Sequence, residues 1–111
     1  MAMERQVVFS KDVKIYLREL AILLFEKGYF GTPEYAKAYV AAIVLFMKTN
    51  IGLHPGRIAP PYFSLYGENL EYIKYSANKR TSWYAFYRQE WNVFVVRHIT
   101  NNHVAAQYFV W

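Results

Sequence analysis

The spacing of apolar residues changes in the middle of this chain, and that change constrains the fold more than any other feature. Before residue 52, apolar side chains recur every three or four positions, as in helices that bury one face. After residue 61, runs rich in aromatic and β-branched residues follow one another, as consecutive strands do. The stretch GLHPGRIAPP (52–61) separates the two regions, and its glycines and prolines predict a loop.

Both predicted helices have recognisable ends. Ser10 follows the strand-like run QVVF (6–9) and is a favourable N-cap, and Gly28 ends the first apolar stripe. The second helix begins at TPE (32–34), which supplies a cap, a proline at the first helical position and an acid in the first turn. Because the connection between the two stripes is short, we expect an antiparallel helical hairpin.

Three predicted strands complete the pattern: LEYIKY (70–75), TSWYAFY (81–87) and VFVVRHI (93–99). SANKR and RQEWN join them and are short enough for hairpins. The predicted fold is α+β in the order β-α-α-β-β-β, with two helices on one face of a mainly antiparallel sheet and the other face partly open to solvent. We predict one domain over residues 1–111. Four strand residues are predicted to belong to the core: Trp83, Phe86, Phe94 and Val96.

Charge and composition limit the classes of function that this chain can have. The net charge is +5, and residues 72–111 have only one acidic residue, Glu90, against five basic ones. Such a balance favours a polyanionic partner. The chain has no cysteine, which excludes disulfides, a thiolate nucleophile and cysteine-ligated zinc. No segment reaches the length of about 18 apolar residues that a membrane span needs. We therefore expect a soluble cytoplasmic protein, without a membrane association, a metal or a cofactor.

The layout resembles the RelE/ParE superfamily of bacterial toxins, the toxic halves of type II toxin–antitoxin pairs. The resemblance runs from QVVFSKDVKIYLREL to ITNNH and depends on VVFSKDV, the helical hairpin, the aromatic strand from Arg80 to Tyr87, and the cationic end of VFVVRHI. Many members end the last strand with a basic pair, where this chain has TNNH (100–103). The resemblance implies a cognate antitoxin that wraps the sheet and helices.

Members that cut mRNA on the ribosome use no metal, and their site supplies a base, an acid and cations for the phosphate. For this chain the resemblance implies the catalytic residues Arg80, Arg97, His98 and His103. The candidate RNA-binding residues are Lys74, Lys79, Tyr84, Arg88 and Tyr108. Hairpin pairing predicts that Arg80 lies near His98 and Ile99. Strand alternation predicts that Arg97 and His98 lie on opposite faces of the sheet, so that one of them is a surface residue.

Other interpretations stay open. Cations at strand ends often only protect a sheet edge, and lone histidines are commonly structural. His54, Glu68 and Glu71 are weaker functional candidates. Two other functions fit the same fold: a non-enzymatic ParE-like poison of DNA gyrase, and a non-toxic RNA-binding or protein-binding domain. Harmless loss of both His98 and His103 would favour the gyrase poison, and no growth arrest on expression would favour the binding domain.

Overall fold

In the computed structural model, which describes residues 4–105, two helices pack on one face of a five-stranded sheet. The elements, in chain order, are β1 (Gln6–Phe9), α1 (Lys11–Glu26), α2 (Pro33–Asn50), β2 (Arg57–Ile58), a 3-10 helix (Pro61–Tyr66), β3 (Glu71–Ser76), β4 (Ser82–Glu90), β5 (Val93–Asn101) and α3 (Asn102–Ala105). The strand order is β1-β5-β4-β3-β2, and β1 runs parallel to β5 while the other pairs are antiparallel. The α+β prediction is confirmed. The two-residue strand β2 is an addition inside the predicted loop.

Side-chain caps begin both long helices where the sequence predicted them. The hydroxyl of Ser10 accepts the backbone N–H of Val13 at 3.3 Å, and the hydroxyl of Thr32 accepts that of Tyr35 at 3.2 Å. These bonds satisfy N–H groups that have no partner within the helix. Gly28 follows α1 with a φ of 78°, a conformation that glycine adopts without strain.

The other end of α2 is tied to the chain segment before β1. The guanidinium of Arg5 donates to the carbonyl oxygens of Lys48 at 3.0 Å and Thr49 at 3.3 Å, and also to that of Ile51. These carbonyl groups lie at or just beyond the last turn of the helix, where the helix dipole favours a positive charge. Arg5 therefore fastens the helical hairpin to the edge of the sheet.

Each face of the sheet carries its own core. On the helix-covered face, Leu20, Ile43 and Met47 belong to one buried cluster with Trp83 and Val96. On the second face the 3-10 helix contributes Phe63 to a smaller cluster. The other buried members of that cluster are Leu70, Tyr72, Phe86 and Ala105. All four residues predicted for the core are buried, but Phe86 lies on the face opposite to the other three.

The hairpin between β4 and β5 is longer and less regular than predicted. β4 continues to Glu90, so the connection is only Trp91-Asn92 and not the whole of RQEWN. Phe86 pairs with His98, and the next residue, Tyr87, pairs with Val96. One residue of β5, Arg97, is therefore left without a counterpart, and the strand bulges there.

The bulge reverses the alternation of β5. Val96 belongs to the cluster under the helices, whereas His98 contacts the rings of Phe63 and Phe86 on the second face. Regular alternation would have put both side chains on the same face. None of the helices in residues 4–105 is long and apolar enough to cross a membrane.

Candidate functional site

The turn between β3 and β4 presents two cations at one end of the sheet. The side-chain oxygen of Asn78 accepts the backbone N–H groups of Arg80 at 2.8 Å and Thr81 at 2.9 Å. Asparagine favours turns because its short amide can replace a backbone acceptor in this way. The side chain of Asn78 thus stabilises the turn. Lys79 and Arg80 lie in this turn, and their side chains are exposed.

Two asparagines at the junction of β5 and α3 hold this turn and the short helix together. The Nδ2 of Asn102 donates to the carbonyl oxygen of Arg80 at 3.0 Å, and its Oδ1 accepts the backbone N–H of Ser82 at 2.9 Å. The Oδ1 of Asn101 accepts the N–H groups of His103 at 2.9 Å and Val104 at 3.1 Å, which starts the short helix α3. The two consecutive asparagines thereby position α3 against the β3–β4 turn.

His103 completes this arrangement. Its Nε2 lies 3.0 Å from the hydroxyl oxygen of Thr81, so the imidazole and the hydroxyl share a hydrogen bond. We call Lys79, Arg80, Thr81, Asn102 and His103 the end cluster. It combines two cations, a hydroxyl and an exposed imidazole, which are the groups that general acid–base chemistry on a phosphodiester requires. Of the predicted catalytic residues, Arg80 and His103 are brought together.

His98 does not belong to the end cluster, and its predicted proximity to Arg80 is wrong. The register pairs Trp83 with Asn101, which puts Arg80 beside Asn102, while His98 lies opposite Phe86 in the middle of the strand. The imidazole of His98 stacks on the ring of Tyr66, with centroids 3.7 Å apart and planes 7° from parallel. The prediction failed because the β4–β5 connection is two residues rather than five, which together with the bulge changes the register of the two strands.

The surroundings of His98 fix its protonation state. Burial lowers the pKa of His98 from its ordinary value of 6.5 to about 4. The imidazole is therefore neutral at pH 7, and its flat contact with Tyr66 gives it a packing role on the second face of the sheet.

The other predicted residues lie apart. Arg97, predicted as catalytic, is exposed at the bulge, so it is the surface residue of the Arg97–His98 pair, although the regular alternation behind that expectation is broken there. Lys74 and Tyr84 pair across β3 and β4, and burial, followed by the charge of Tyr72, raises the pKa of Tyr84. Arg88 forms an ion pair with Glu90 at 2.9 Å, towards the opposite end of β4. Tyr108 lies outside the described residues.

A groove of about 1070 Å³ opens beside the end cluster. We call it the end groove. Its walls come from the C-terminal half of α1, the α1–α2 connection, α2 and the end of the sheet; its lining includes Tyr16, Leu23, Tyr29, Phe30, Tyr39, Asn78, Trp83, Asn101, Thr81 and His103. The indole N–H of Trp83 donates to the hydroxyl of Tyr39 at 2.9 Å, and burial raises the pKa of Tyr16. Two residues of the end cluster, Thr81 and His103, thus also line the groove.

The predicted site residues did not include Asn78, Thr81 or Asn102, and the groove was not predicted. The signal for the asparagines was present, since amides directly after a strand commonly form turns and caps. The groove had no such signal, because its walls come from segments distant in the sequence.

Within residues 4–105, no three His, Asp or Glu side chains lie close enough together to hold a metal ion. Comparisons with protein-family models, with curated proteins and with solved structures give no match.

Proposed function

We propose that this protein is the toxin of a type II toxin–antitoxin pair, of the RelE-like kind, and that it cleaves mRNA on the ribosome without a metal. The observation that supports this proposal best is the 3.0 Å hydrogen bond between His103 Nε2 and Thr81 Oγ1, one residue from Arg80. It brings an imidazole against the turn that carries Arg80. The α+β fold expected from the resemblance is a second support.

The proposed chemistry is an internal transesterification. The 2′-hydroxyl oxygen of the RNA attacks the adjacent phosphorus, a bond forms between O2′ and phosphorus, and the bond from phosphorus to the 5′ oxygen breaks. His103 takes the proton from the 2′-hydroxyl, and the 5′ oxygen leaves with a proton from solvent. Arg80 binds the phosphate oxygens, whose negative charge grows in the transition state, and Lys79 adds a second positive charge.

Asn102 and Thr81 position these groups in the proposed mechanism. Asn102 binds the backbone on both sides of Thr81, at the carbonyl of Arg80 and the N–H of Ser82. Thr81 orients the imidazole through its hydroxyl. A cytoplasmic antitoxin protein is the implied partner, and the proposed substrate is mRNA in the ribosome.

One observation favours the second candidate, a non-enzymatic poison of DNA gyrase. Of the two histidines proposed as catalytic, His98 is stacked on Tyr66 and neutral, so only His103 is left for proton transfer. A protein that only binds its target needs no such group. The two candidates therefore differ in what the loss of His103 does.

The test is to induce the chain alone in a bacterial host and to map the 5′ ends of cellular mRNA. Arg80→Ala and His103→Ala are compared with Arg18→Ala and His54→Ala, which replace exposed residues outside the end cluster. We expect growth arrest and new translation-dependent 5′ ends with the wild-type and both control proteins, and neither with the two cluster variants. Arrest without new ends that survives His103→Ala would instead identify the gyrase-type function. No arrest at confirmed expression would contradict both.

A further inference from the structure

The end groove has the character of a binding site for an unstacked nucleobase. We propose that it holds a base of a single-stranded RNA whose phosphate lies at Arg80. This proposal rests on the proposed function, because it names how the same end cluster receives its substrate. Three features of the groove carry it: exposed aromatic rings, unused amide donors and continuity with the cationic turn.

The aromatic lining of the groove includes a ring that is not buried in the core. Tyr29 is 71% exposed and lies in the short α1–α2 connection, at the edge of the groove. Behind it, the rings of Phe30 and Tyr39 pack with centroids 5.1 Å apart. Single-stranded nucleic acids are held by stacking of their bases on such rings, and this interaction tolerates any base. Among the aromatic residues of the described chain that line the groove, Tyr29 is the most exposed.

The polar lining offers hydrogen-bond donors that the fold does not use. The side-chain oxygen of Asn78 accepts the backbone N–H groups of Arg80 and Thr81. The side-chain oxygen of Asn101 accepts those of His103 and Val104. Within residues 4–105, neither amide nitrogen has a hydrogen-bond acceptor. Both side chains line the groove. Amide donors suit the carbonyl and ring-nitrogen acceptors on base edges.

Charge and size agree with a nucleotide. The cations of Lys79 and Arg80 lie on the same turn as Asn78 and Thr81, so a base in the groove and a phosphate at Arg80 occupy neighbouring places. The groove, at about 1070 Å³, is slightly larger than most ligand pockets, which measure roughly 300–1,000 Å³. It can therefore admit more than one nucleoside. RNA-binding proteins commonly read bases that are turned out of the stack in this way.

The test uses 2′-O-methyl trinucleotides, which lack the attacking hydroxyl and cannot be cleaved, titrated into the ¹⁵N-labelled protein and followed by NMR. Tyr29→Ala is compared with Tyr35→Ala. Both tyrosines are exposed, at 71% and 66%, but Tyr35 does not line the groove. We expect shifts at groove residues, about tenfold weaker binding for Tyr29→Ala, and rescue by Tyr29→Phe. Tyr35→Ala should stay within about twofold of the wild type. A trinucleotide with an abasic middle residue should also bind more weakly.

The results distinguish a failure of this inference from a failure of the proposed function. Equal affinity of Tyr29→Ala and Tyr35→Ala, or shifts confined to residues outside the groove, would overturn the inference, even if the wild-type protein cleaves ribosome-bound mRNA. If the trinucleotide binds in the groove as expected but the wild-type protein leaves ribosome-bound mRNA intact, the inference stands and the nuclease proposal fails. No binding of any trinucleotide overturns the inference, and the mRNA assay then decides the proposed function alone.

Discussion

Thr81 and His103 are 22 positions apart in the chain, yet their side chains share a 3.0 Å hydrogen bond. The bond joins the β3–β4 turn to α3, the short helix that follows β5. The asparagine before the histidine secures it, because Asn102 holds the backbone of the turn from both sides of Thr81. The geometry of the end cluster therefore depends on residues that take no part in the proposed chemistry.

Asn102→Ala should loosen the β3–β4 turn. The substitution removes two hydrogen bonds and leaves the N–H of Ser82 without its acceptor, so we expect a loss of about 1–3 kcal/mol in the free energy of unfolding. Denaturant unfolding measures the loss, and amide hydrogen exchange should show faster exchange at Ser82. Asn102→Asp keeps the acceptor and should preserve the protection of Ser82. Unchanged exchange at Ser82 in the alanine variant would contradict the assigned role.

His98 should make the protein less stable in mild acid. Its pKa is about 4 in the folded state, against an ordinary value of 6.5. Between these two pH values the unfolded chain binds a proton that the folded chain does not, so the free energy of unfolding falls as the pH decreases from 6.5 to 4. Well above pH 6.5, His98 is neutral in both states and no longer makes the free energy of unfolding depend on pH.

Urea unfolding across this pH range measures the effect, and His98→Phe should flatten the part of the slope that His98 causes. His54→Phe, a change in an exposed loop, should keep the wild-type slope. An NMR titration that gave His98 an ordinary pKa would count against its enclosure between the aromatic rings.

Gly56→Ala should destabilise the fold through Tyr87. A methyl group at Gly56 would overlap the hydroxyl of Tyr87 and lie 3.1 Å from the Cβ of Glu71. The Gly56 N–H also donates to the carboxylate of Glu71 at 3.1 Å, which prevents the loop from moving away freely. We expect a loss of about 1–3 kcal/mol in the free energy of unfolding.

Thermal or denaturant unfolding checks this expectation. Gly31→Ala is the matched control, because a methyl group there meets nothing within 4 Å, and it should change stability by less than about 0.5 kcal/mol. Tyr87→Phe removes the hydroxyl, so the double variant with Gly56→Ala should lose less than the two single losses added together. Simple additivity would show that the hydroxyl is not the obstacle.

Trp91→Gly should raise the stability of the β4–β5 hairpin. Trp91 has a φ of 59°, at which its Cβ crowds the backbone carbonyl, and its ring is 88% exposed and gains little packing in return. A positive φ at the first central position of a two-residue hairpin turn is the place where glycine is preferred. We expect a gain of up to about 1 kcal/mol in denaturant unfolding.

Asn69→Gly provides the comparison, since Asn69 has a φ of 57° and asparagine tolerates this conformation. It should give little or no gain. A loss of stability in Trp91→Gly would mean that the indole makes a stabilising contact.

Local signals in the sequence were sufficient for the helices. Ser10 and Thr32 cap them as predicted, because a cap depends only on residues three positions away. The strands were found with their ends displaced, since aromatic and β-branched composition marks the interior of a strand better than its limits. Because β4 continues to Glu90, the β4–β5 connection is shorter than predicted, and the changed register puts His98 opposite Phe86 and His103 beside Thr81, the neighbour of Arg80.

The bulge at Arg97 could not be read from the sequence. VFVVRHI contains no glycine or proline to mark it, and regular alternation was the natural expectation. The bulge is what transfers His98 to the second face, where the 3-10 helix supplies Tyr66 as its stacking partner. Which of the two histidines is available for chemistry was therefore decided by tertiary packing.

The late place of β5 and α3 in the chain governs both when β1 finds its ladder partner and when a newly made chain acquires its end cluster. Gln6 pairs with Val93, so β1 has no ladder partner while the residues between them leave the ribosome. Helices and hairpins form quickly from neighbouring residues, whereas contacts across so long a loop form slowly. A nascent chain can thus hold α1, α2 and the β3–β4 hairpin while the imidazole of His103 has yet to reach Thr81. Synthesis through residue 103 and docking of β5 must both occur before the cluster exists.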